Sequence, residues 1–293
     1  MNTKKFVLFL YGETTLHAGT GVGLGAVDLP IQRERHTGYP MIQASSVKGA
    51  LRNAVELYFS EDDKVRNIFG GASGENEGEF AGALSPSDAR ILLFPVRALQ
   101  GVFVWVTSPA VLARFKQEAA APSADMPKVP QNGEKVWASD NGMLLGNQIM
   151  LEEYTYSAEF NDLAKQWAAY LAEEALPEGM DAYWRERLQT HLAILPDDAF
   201  RDFVRYSTEI VTRIHVDDVK KTVKKGQLFT QELLPADSLL YSVVRVTDSR
   251  GSDMKVDGVV ASLQEAIGER VQVGADETVG RGRMWLRWME VKA

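Results

Sequence analysis

The strongest constraint in this chain is the order in which its hydrophobic periods change over the first third. It opens with a strand-like run, "KFVLFLYG". Further on, "ASSVKGALRNAVELYF" places Val47, Leu51, Ala54, Val55, Tyr58 and Phe59 at the spacing of one helical face. Then come "AGALSPSDARILLFPV" and "GVFVWVTS", both rich in strand formers, and the helix-like "PAVLARFKQEAA". The order is β-α-β-β-α, most of a ferredoxin-like (RRM-type) unit, and predicts an α+β fold.

The rest reads as additions to that unit. "AAAPSADMPKVPQNGEKV" is rich in Pro and Ala and predicts a mobile loop. Strand-like residues around "NQIMLEEYTYSAE" precede three amphipathic segments, "FNDLAKQWAAYLAEEAL", "MDAYWRERLQTHL" and "DDAFRDFVRY". "STEIVTRIHV" and "SLLYSVVRVT" resemble strands on either side of a polar, hairpin-like excursion, "DDVKKTVKKGQLFTQELLPAD". A helix, "VDGVVASLQEAIGER", and a strand, "MWLRWMEV", close the chain. One α+β domain with insertions fits this order better than two independent domains.

Between the first strand and the first helix lies "LHAGTGVGLGAVDLPIQRERHTGYP", with glycine at 19, 21, 23 and 25 and an acid, Asp28, just beyond. The spacing is not the G-x-G-x-x-G of a dinucleotide site, and Pro30 follows where a helix would have to begin. No G-K-[ST] marks a P-loop. Asp28 has no second acid within the segment, so paired-carboxylate chemistry would need partners from elsewhere.

Composition removes other classes. The chain has no cysteine, which excludes disulfides, zinc–thiolate sites and iron–sulfur clusters. Its four histidines, His17, His36, His191 and His215, are far apart and argue against a histidine-rich metal site. No segment approaches the ~20 apolar residues of a membrane span, and the start lacks a signal peptide, so a cytoplasmic protein is expected.

Net charge is −8 over 293 residues, which at first argues against nucleic acid. Between Glu152 and Asp202, however, twelve acids face four bases, so that segment carries the whole excess. Outside it lie basic stretches: Arg33 to Arg52, "VKKTVKK" and "GRGRMWLRW". Phosphate binding responds to such local patches rather than to the total.

Two segments suit phosphate. In "ASSVKGALR", Ser45 or Ser46 is the expected helix N-cap, and Lys48 stands where a capping box would hold an acid. A first-turn cation opposes the helix dipole unless an anion joins it. In "VQVGADETVGRGRMWLRW", Gly274, Gly280 and Gly282 with Arg281 and Arg283 form a turn between strands whose amides could nest an anion.

Together these segments, with "IFGG" and the terminal "GADETVGRG", resemble the RAMP superfamily of CRISPR proteins, nearest to the multi-copy backbone subunit of the type III-B (Cmr) effector complex. The resemblance spans most of the chain and is weakest over about 119–205. It implies an RRM-like palm over about 1–118 and 207–293, a mobile loop over about 119–135, a helical insertion over about 152–205 and a thumb hairpin over about 215–237. It implies partners as well: a CRISPR guide RNA, a complementary target RNA, further copies in a helical filament, a large polymerase-like subunit, a small helical subunit and capping RAMP subunits.

The resemblance places the catalytic aspartate on Asp28, with His17 as a weaker proton-transfer candidate. It places RNA-backbone contacts on Ser45, Ser46, Lys48, Arg52, Gly274, Gly280, Arg281 and Gly282. Thumb contacts fall on Lys220, Lys221, Lys224 and Lys225, with Phe229 near the thumb tip. The implied activity is endonucleolytic cleavage of target RNA at roughly six-nucleotide intervals, by 2′-OH attack giving a 2′,3′-cyclic phosphate. It depends on a loosely held Mg²⁺ or Mn²⁺, with Asp28 as base or metal ligand. A structural subunit that coats guide RNA without cutting is the alternative. A stand-alone guide-processing nuclease is disfavoured by the lack of clustered histidines.

Overall fold

A computed structural model describes residues 2–23, 25–59, 62–71, 80–119, 126–216 and 223–291; at 62, 215, 216 and 223–227 only the backbone is described. In chain order the first elements are β1 (Thr3–Gly12), β2 (Met41–Ile42), α1 (Ala44–Tyr58), α2 (Asp62–Phe69), β3 (Leu84–Pro86), β4 (Ala89–Arg97), β5 (Phe103–Thr107) and α3 (Pro109–Ala119). A middle group follows: β6 (Val136–Ala138), β7 (Gln148–Leu151), β8 (Tyr154–Phe160), α4 (Asp162–Glu174), α5 (Ala182–Thr190), β9 (Leu192–Ile194) and α6 (Asp197–Tyr206). The last group is β10 (Glu209–Val216), β11 (Val223–Leu233), β12 (Leu239–Thr247), α7 (Val256–Ile267), β13 (Arg270–Gln272) and β14 (Arg283–Val291).

The central strand is β1, whose Phe6–Tyr11 run is buried on both faces. A strand without a polar face has to lie inside a sheet. It does so between β12, with Phe9 opposite Tyr241, and β14, with Phe9 opposite Arg287, both antiparallel. The sheet continues in the order β13-β14-β1-β12-β4-β5-β9-β6-β8-β7, with β2 beside β4 and β3 beside β12. Helix α1 buries Val47, Leu51 and Val55, a four-residue repeat that lays one face on the core. Each such side chain contributes about 1.5–3 kcal/mol of burial. Alongside it packs α7, which buries Val256, Val259, Leu263 and Ile267 and stops at Gly268.

The ferredoxin-like unit is therefore present, with a different membership from the one local pattern suggests. Its four strands, in sheet order β14-β1-β12-β4, are the fourth, first, third and second of the motif, with α1 and α7 as its helices. The expected third strand, β5, lies on the outer side of β4, and α3 belongs with it. Through the parallel pair β5–β9 the sheet passes into the middle group, where β9 meets β6 and β6 meets β8. Of these, β6 and β9 escaped the reading because three-residue strands carry no periodicity, whereas β7 and β8 lie in the strand-like "NQIMLEEYTYSAE"; α2 was not read either.

The expected mobile loop lies partly outside the described residues, at 120–125. Its remainder, 126–135, is anchored: Lys116 donates to the carbonyls of Met126 and Pro127, Trp167 Nε1 to that of Lys128, and the Asn132 amide to those of Lys135 and Ile194. Hydrogen bonds of this kind tie the segment to α3, α4 and β9.

Strands β10 and β11 form a separate two-stranded sheet, with Thr212 opposite Thr230 and Arg213 opposite Phe229. It begins at Glu209, so the segment "STEIVTRIHV" supplies its first strand and the excursion seen in the sequence supplies its second, β11. A lone hairpin is marginally stable in water and must be tied down at its base. How it is tied builds the candidate site.

Candidate active site

Strand β11 supplies three successive polar side chains, Thr230, Gln231 and Glu232, and a strand turns successive side chains to opposite faces. Gln231 and Glu232 are buried, at 3% and 6% exposure. Thr230 meets the Asp28 loop. Its backbone N–H donates to Asp28 Oδ2 at 2.7 Å and its hydroxyl to the same oxygen at 2.9 Å. The Asp28 amide donates back to Thr230 Oγ1 at 3.0 Å. The chain then pairs briefly with β11 in parallel, Leu29 N–H donating to Thr230 O and Glu232 N–H to Leu29 O.

These bonds fix the charge as well as the place of Asp28. Hydrogen bonds from the Thr230 backbone and hydroxyl hold its carboxyl below the usual aspartate range, so it is ionised at neutral pH. The residue is solvent-exposed, and Oδ1 accepts none of the bonds to Thr230. On the approach to it, a Cβ placed on Gly21 or Gly25 would meet nothing within 4 Å, which leaves open space beside the loop.

Glu232, on the same strand face as Thr230, anchors the continuation of the loop. It accepts from Ile31 N–H at 3.0 Å, from Thr208 Oγ1 at 2.8 Å and from the Arg33 guanidinium. Arg33 also donates to Gly38 O and to Val204 O, so the end of α6, just past the acidic segment, buttresses this loop. Gln32 connects the loop inward, donating from N–H to Ala18 O and from Nε2 to Gly19 O, while its Oε1 accepts from Gln43 N–H ahead of α1.

On the opposite face, Gln231 Nε2 donates to Asp276 Oδ2 at 2.7 Å, and Arg213 to Asp276 Oδ1 at 2.6 Å. Arg281 donates to Gln231 Oε1 at 2.9 Å and lies 3.4 Å from Asp276 Oδ2. The glycine-rich loop is thus fastened to the hairpin, and much of the Arg281 charge is spent on Asp276. Gly274 and Gly282 have positive φ and close neighbours: a Cβ on Gly274 would lie 2.5 Å from His17 O, and one on Gly282 would lie 2.0 Å from Val273 O. Here glycine permits protein backbone to pack on protein backbone.

Several expected site residues sit differently from their sequence reading. His17 is buried; Nδ1 hydrogen-bonds Glu232 O at 2.8 Å, and the ring abuts Gly19. Its Nδ1 is committed to the hairpin, and Nε2 is the ring atom nearest Gly19. The α1 N-cap is Gln43, not Ser45 or Ser46, and three amides of the first turn are already bonded: Ala44 to Asp88 Oδ1, Ser46 and Val47 to Gln43 O. A phosphate there would meet the exposed Ser45 and the Lys48 ammonium rather than a free helix end. Burial, and then the neighbouring Arg52, push the Lys48 amine down, so an anion would relieve it. Arg52 itself is bonded to Glu56 and to Gly70 O.

Phe229 is mid-strand opposite Arg213, whose guanidinium lies 5.9 Å from its ring centre, and is not near the hairpin tip. Lys220 and Lys221 lie outside the described residues. Lys224 and Lys225 lie on β11, where the backbone alone is described. Gly280 is exposed in the loop. The sequence reading missed Thr230, Gln231 and Glu232; the one available signal was a polar triplet inside a strand-like run, "LFTQELL".

The donors around Asp28 do not make a site for the expected divalent ion. Among the described residues no three His, Asp or Glu side chains gather as a metal site. Asp28 has already committed Oδ2 to Thr230. One outward carboxylate oxygen does not fit a resident Mg²⁺, which needs near-octahedral coordination. A groove of about 550 Å³, lined by Met126, Gln166, Tyr170 and Glu173, shares none of the residues around Asp28.

The sequence model of the RAMP superfamily matches residues 9–285, from β1 into β14. The chain belongs to the RAMP superfamily. This RAMP chain is 38% identical over 291 residues to the CRISPR system Cmr endoribonuclease Cmr4 of Pyrococcus furiosus, covering 98% of its own length and 97% of that relative. It superposes on the crystal structure of oligomeric Cmr4 from Pyrococcus furiosus with a TM-score of 0.75, at 32% identity and full coverage of both chains. A chain of the type III-B Cmr-beta complex bound to cognate target RNA shares the fold, with a TM-score of 0.73 at 24% identity over 98% of this chain and 97% of that one. No helix among the described residues is long and apolar enough to cross a membrane.

Proposed function

We propose that this RAMP chain is the multi-copy backbone subunit of a type III-B CRISPR effector complex and cleaves target RNA complementary to the guide. The observation that carries the reading is an ionised, exposed carboxylate clamped to the hairpin, in a chain 38% identical to an endoribonuclease. Copies stack as a helical filament along the guide RNA in the cytoplasm, beside the large polymerase-like, small helical and capping RAMP subunits. Guide and target supply sequence through base pairing, so the protein need recognise only shape and phosphate. Lys48 and Ser45 suit the guide backbone. The net charge of −8 is no obstacle, because the acids between Glu152 and Asp202 account for it.

Cleavage follows from freeing one target nucleotide beside the hairpin. Its 2′-oxygen attacks the adjacent phosphorus in line, the P–O5′ bond breaks, and a 2′,3′-cyclic phosphate and a 5′-hydroxyl remain. Asp28 Oδ1 takes the proton of the attacking hydroxyl, and solvent returns one to the leaving oxygen. Duplex RNA disfavours the in-line geometry, so positioning supplies much of the rate, and general-base assistance contributes on the order of 10²–10⁴-fold. No step is assigned to a divalent ion. An ion that serves the reaction would arrive with RNA phosphates, since the described residues build no site of their own.

The test compares assembled complexes carrying wild-type or Asp28→Ala chains, with guide, end-labelled complementary RNA and Mg²⁺. A regular ladder of cuts at roughly six-nucleotide spacing, lost in the variant with target binding intact, is the expected result. An unchanged ladder removes Asp28 from the reaction. No ladder from either complex would favour the purely structural coat.

A further inference from the structure

Thr230 spends its backbone N–H and both hydrogen-bonding roles of its hydroxyl on one residue, Asp28, 202 positions away in sequence. The hydroxyl donates to Oδ2 and accepts the Asp28 amide, while Thr230 O receives the next amide, that of Leu29. An exposed aspartate ordinarily samples several rotamers. Here one oxygen is bound twice and the other faces outward. The strand that does this belongs to the two-stranded hairpin, not to the main sheet. The carboxylate is therefore registered to the hairpin rather than to the palm.

We infer that Thr230 is a positioning residue for RNA cleavage: its hydroxyl locks the Asp28 carboxylate to β11, so that the hairpin beside which the target nucleotide is freed also holds the group that cuts it. The inference rests on the reading of Asp28 as the cleaving carboxylate. It separates two things a threonine supplies here. A β-branched shape suits the strand and would be kept by valine. The hydroxyl serves Asp28 and would be kept by serine.

The experiment uses the assembled complex with Thr230→Val, Thr230→Ser and Asp28→Asn chains. Single-turnover cleavage at saturating target is measured beside the target dissociation constant. Thr230→Val should slow cleavage on the order of 10²-fold, the scale of a misplaced reacting group, with target binding unchanged. Thr230→Ser should remain within a few-fold of wild type. A wild-type rate in Thr230→Val overturns the inference. So does a serine variant as slow as the valine one, or a valine variant that loses target binding along with rate, because each makes the role one of strand packing. Asp28→Asn keeps the two claims apart. Wild-type cleavage there removes the underlying reading, whereas loss there with Thr230→Val unaffected removes only the role of Thr230.

Discussion

Single positions in this chain are decided by what lies within a few ångströms, and the two loop glycines show it. Gly280 and Gly282 share nearly the same backbone, φ +81° and +76°, but a Cβ on Gly280 meets nothing within 4 Å and one on Gly282 meets a carbonyl at 2.0 Å. Alanine at 280 should cost about 1–2 kcal/mol, the strain of a left-handed residue. Alanine at 282 should cost clearly more, because the neighbour is backbone and cannot swing aside. Urea midpoints of the two variants measure the difference, and equal losses would mean the loop simply shifts. In sequence these glycines look alike, as a loop suited to RNA. The packing role of Gly282 was illegible because the atom it avoids, Val273 O, is brought there by the fold, as His17 O is brought to Gly274. Asp28 was legible only by resemblance, and Thr230 not at all, since its bond spans 202 residues.

Among the elements, the hairpin depends most on its base. Glu232 gathers an amide, a hydroxyl and a guanidinium into one buried carboxylate, joining β11 to the loop after Asp28 and to the start of β10. Glutamine would keep the shape, but it turns one acceptor into a donor facing donors and leaves Arg33 unpaired. Glu232→Gln should therefore cost about 3 kcal/mol, seen as a lower urea midpoint with the slope unchanged. A change under about 0.5 kcal/mol, the range of an ordinary surface substitution, would show that the carboxylate is not the anchor. The element types along the chain were largely readable from period: β1, α1, α4, α6, β12 and α7 fall where apolar spacing predicts them. Which strands become neighbours was less readable. β4 has strand-rich sequence just after it and takes that as one partner, while its palm partner, β12, begins at Leu239.

For the molecule as a whole, several carboxylates hold protons less readily when folded. Burial pushes Glu34 up, yet hydrogen bonds from Arg114 and Thr37 and the charges of Arg114 and Arg90 bring it below its ordinary value. Asp276 behaves likewise beneath Arg213, Gln231 and Arg281. A carboxyl lowered by folding lends stability that is complete above its unfolded value and vanishes as pH falls through the folded one. The melting temperature should thus change little between about pH 7 and 5 and drop steeply below about pH 4, and Glu34→Gln should flatten that drop. A melt as high at about pH 3 as at 7 would contradict it.

The sheet runs unbroken from palm to insertion, and its two ends in the strand order are β13, of three residues, and β7, of four. A subunit used in many copies risks clumping by adding strands to a neighbour's exposed margin. These two short strands offer few free backbone groups, so copies that meet at them must do so through side-chain surfaces of defined shape. Order in an array of such chains would then come partly from the ways of sticking together that its own outline refuses.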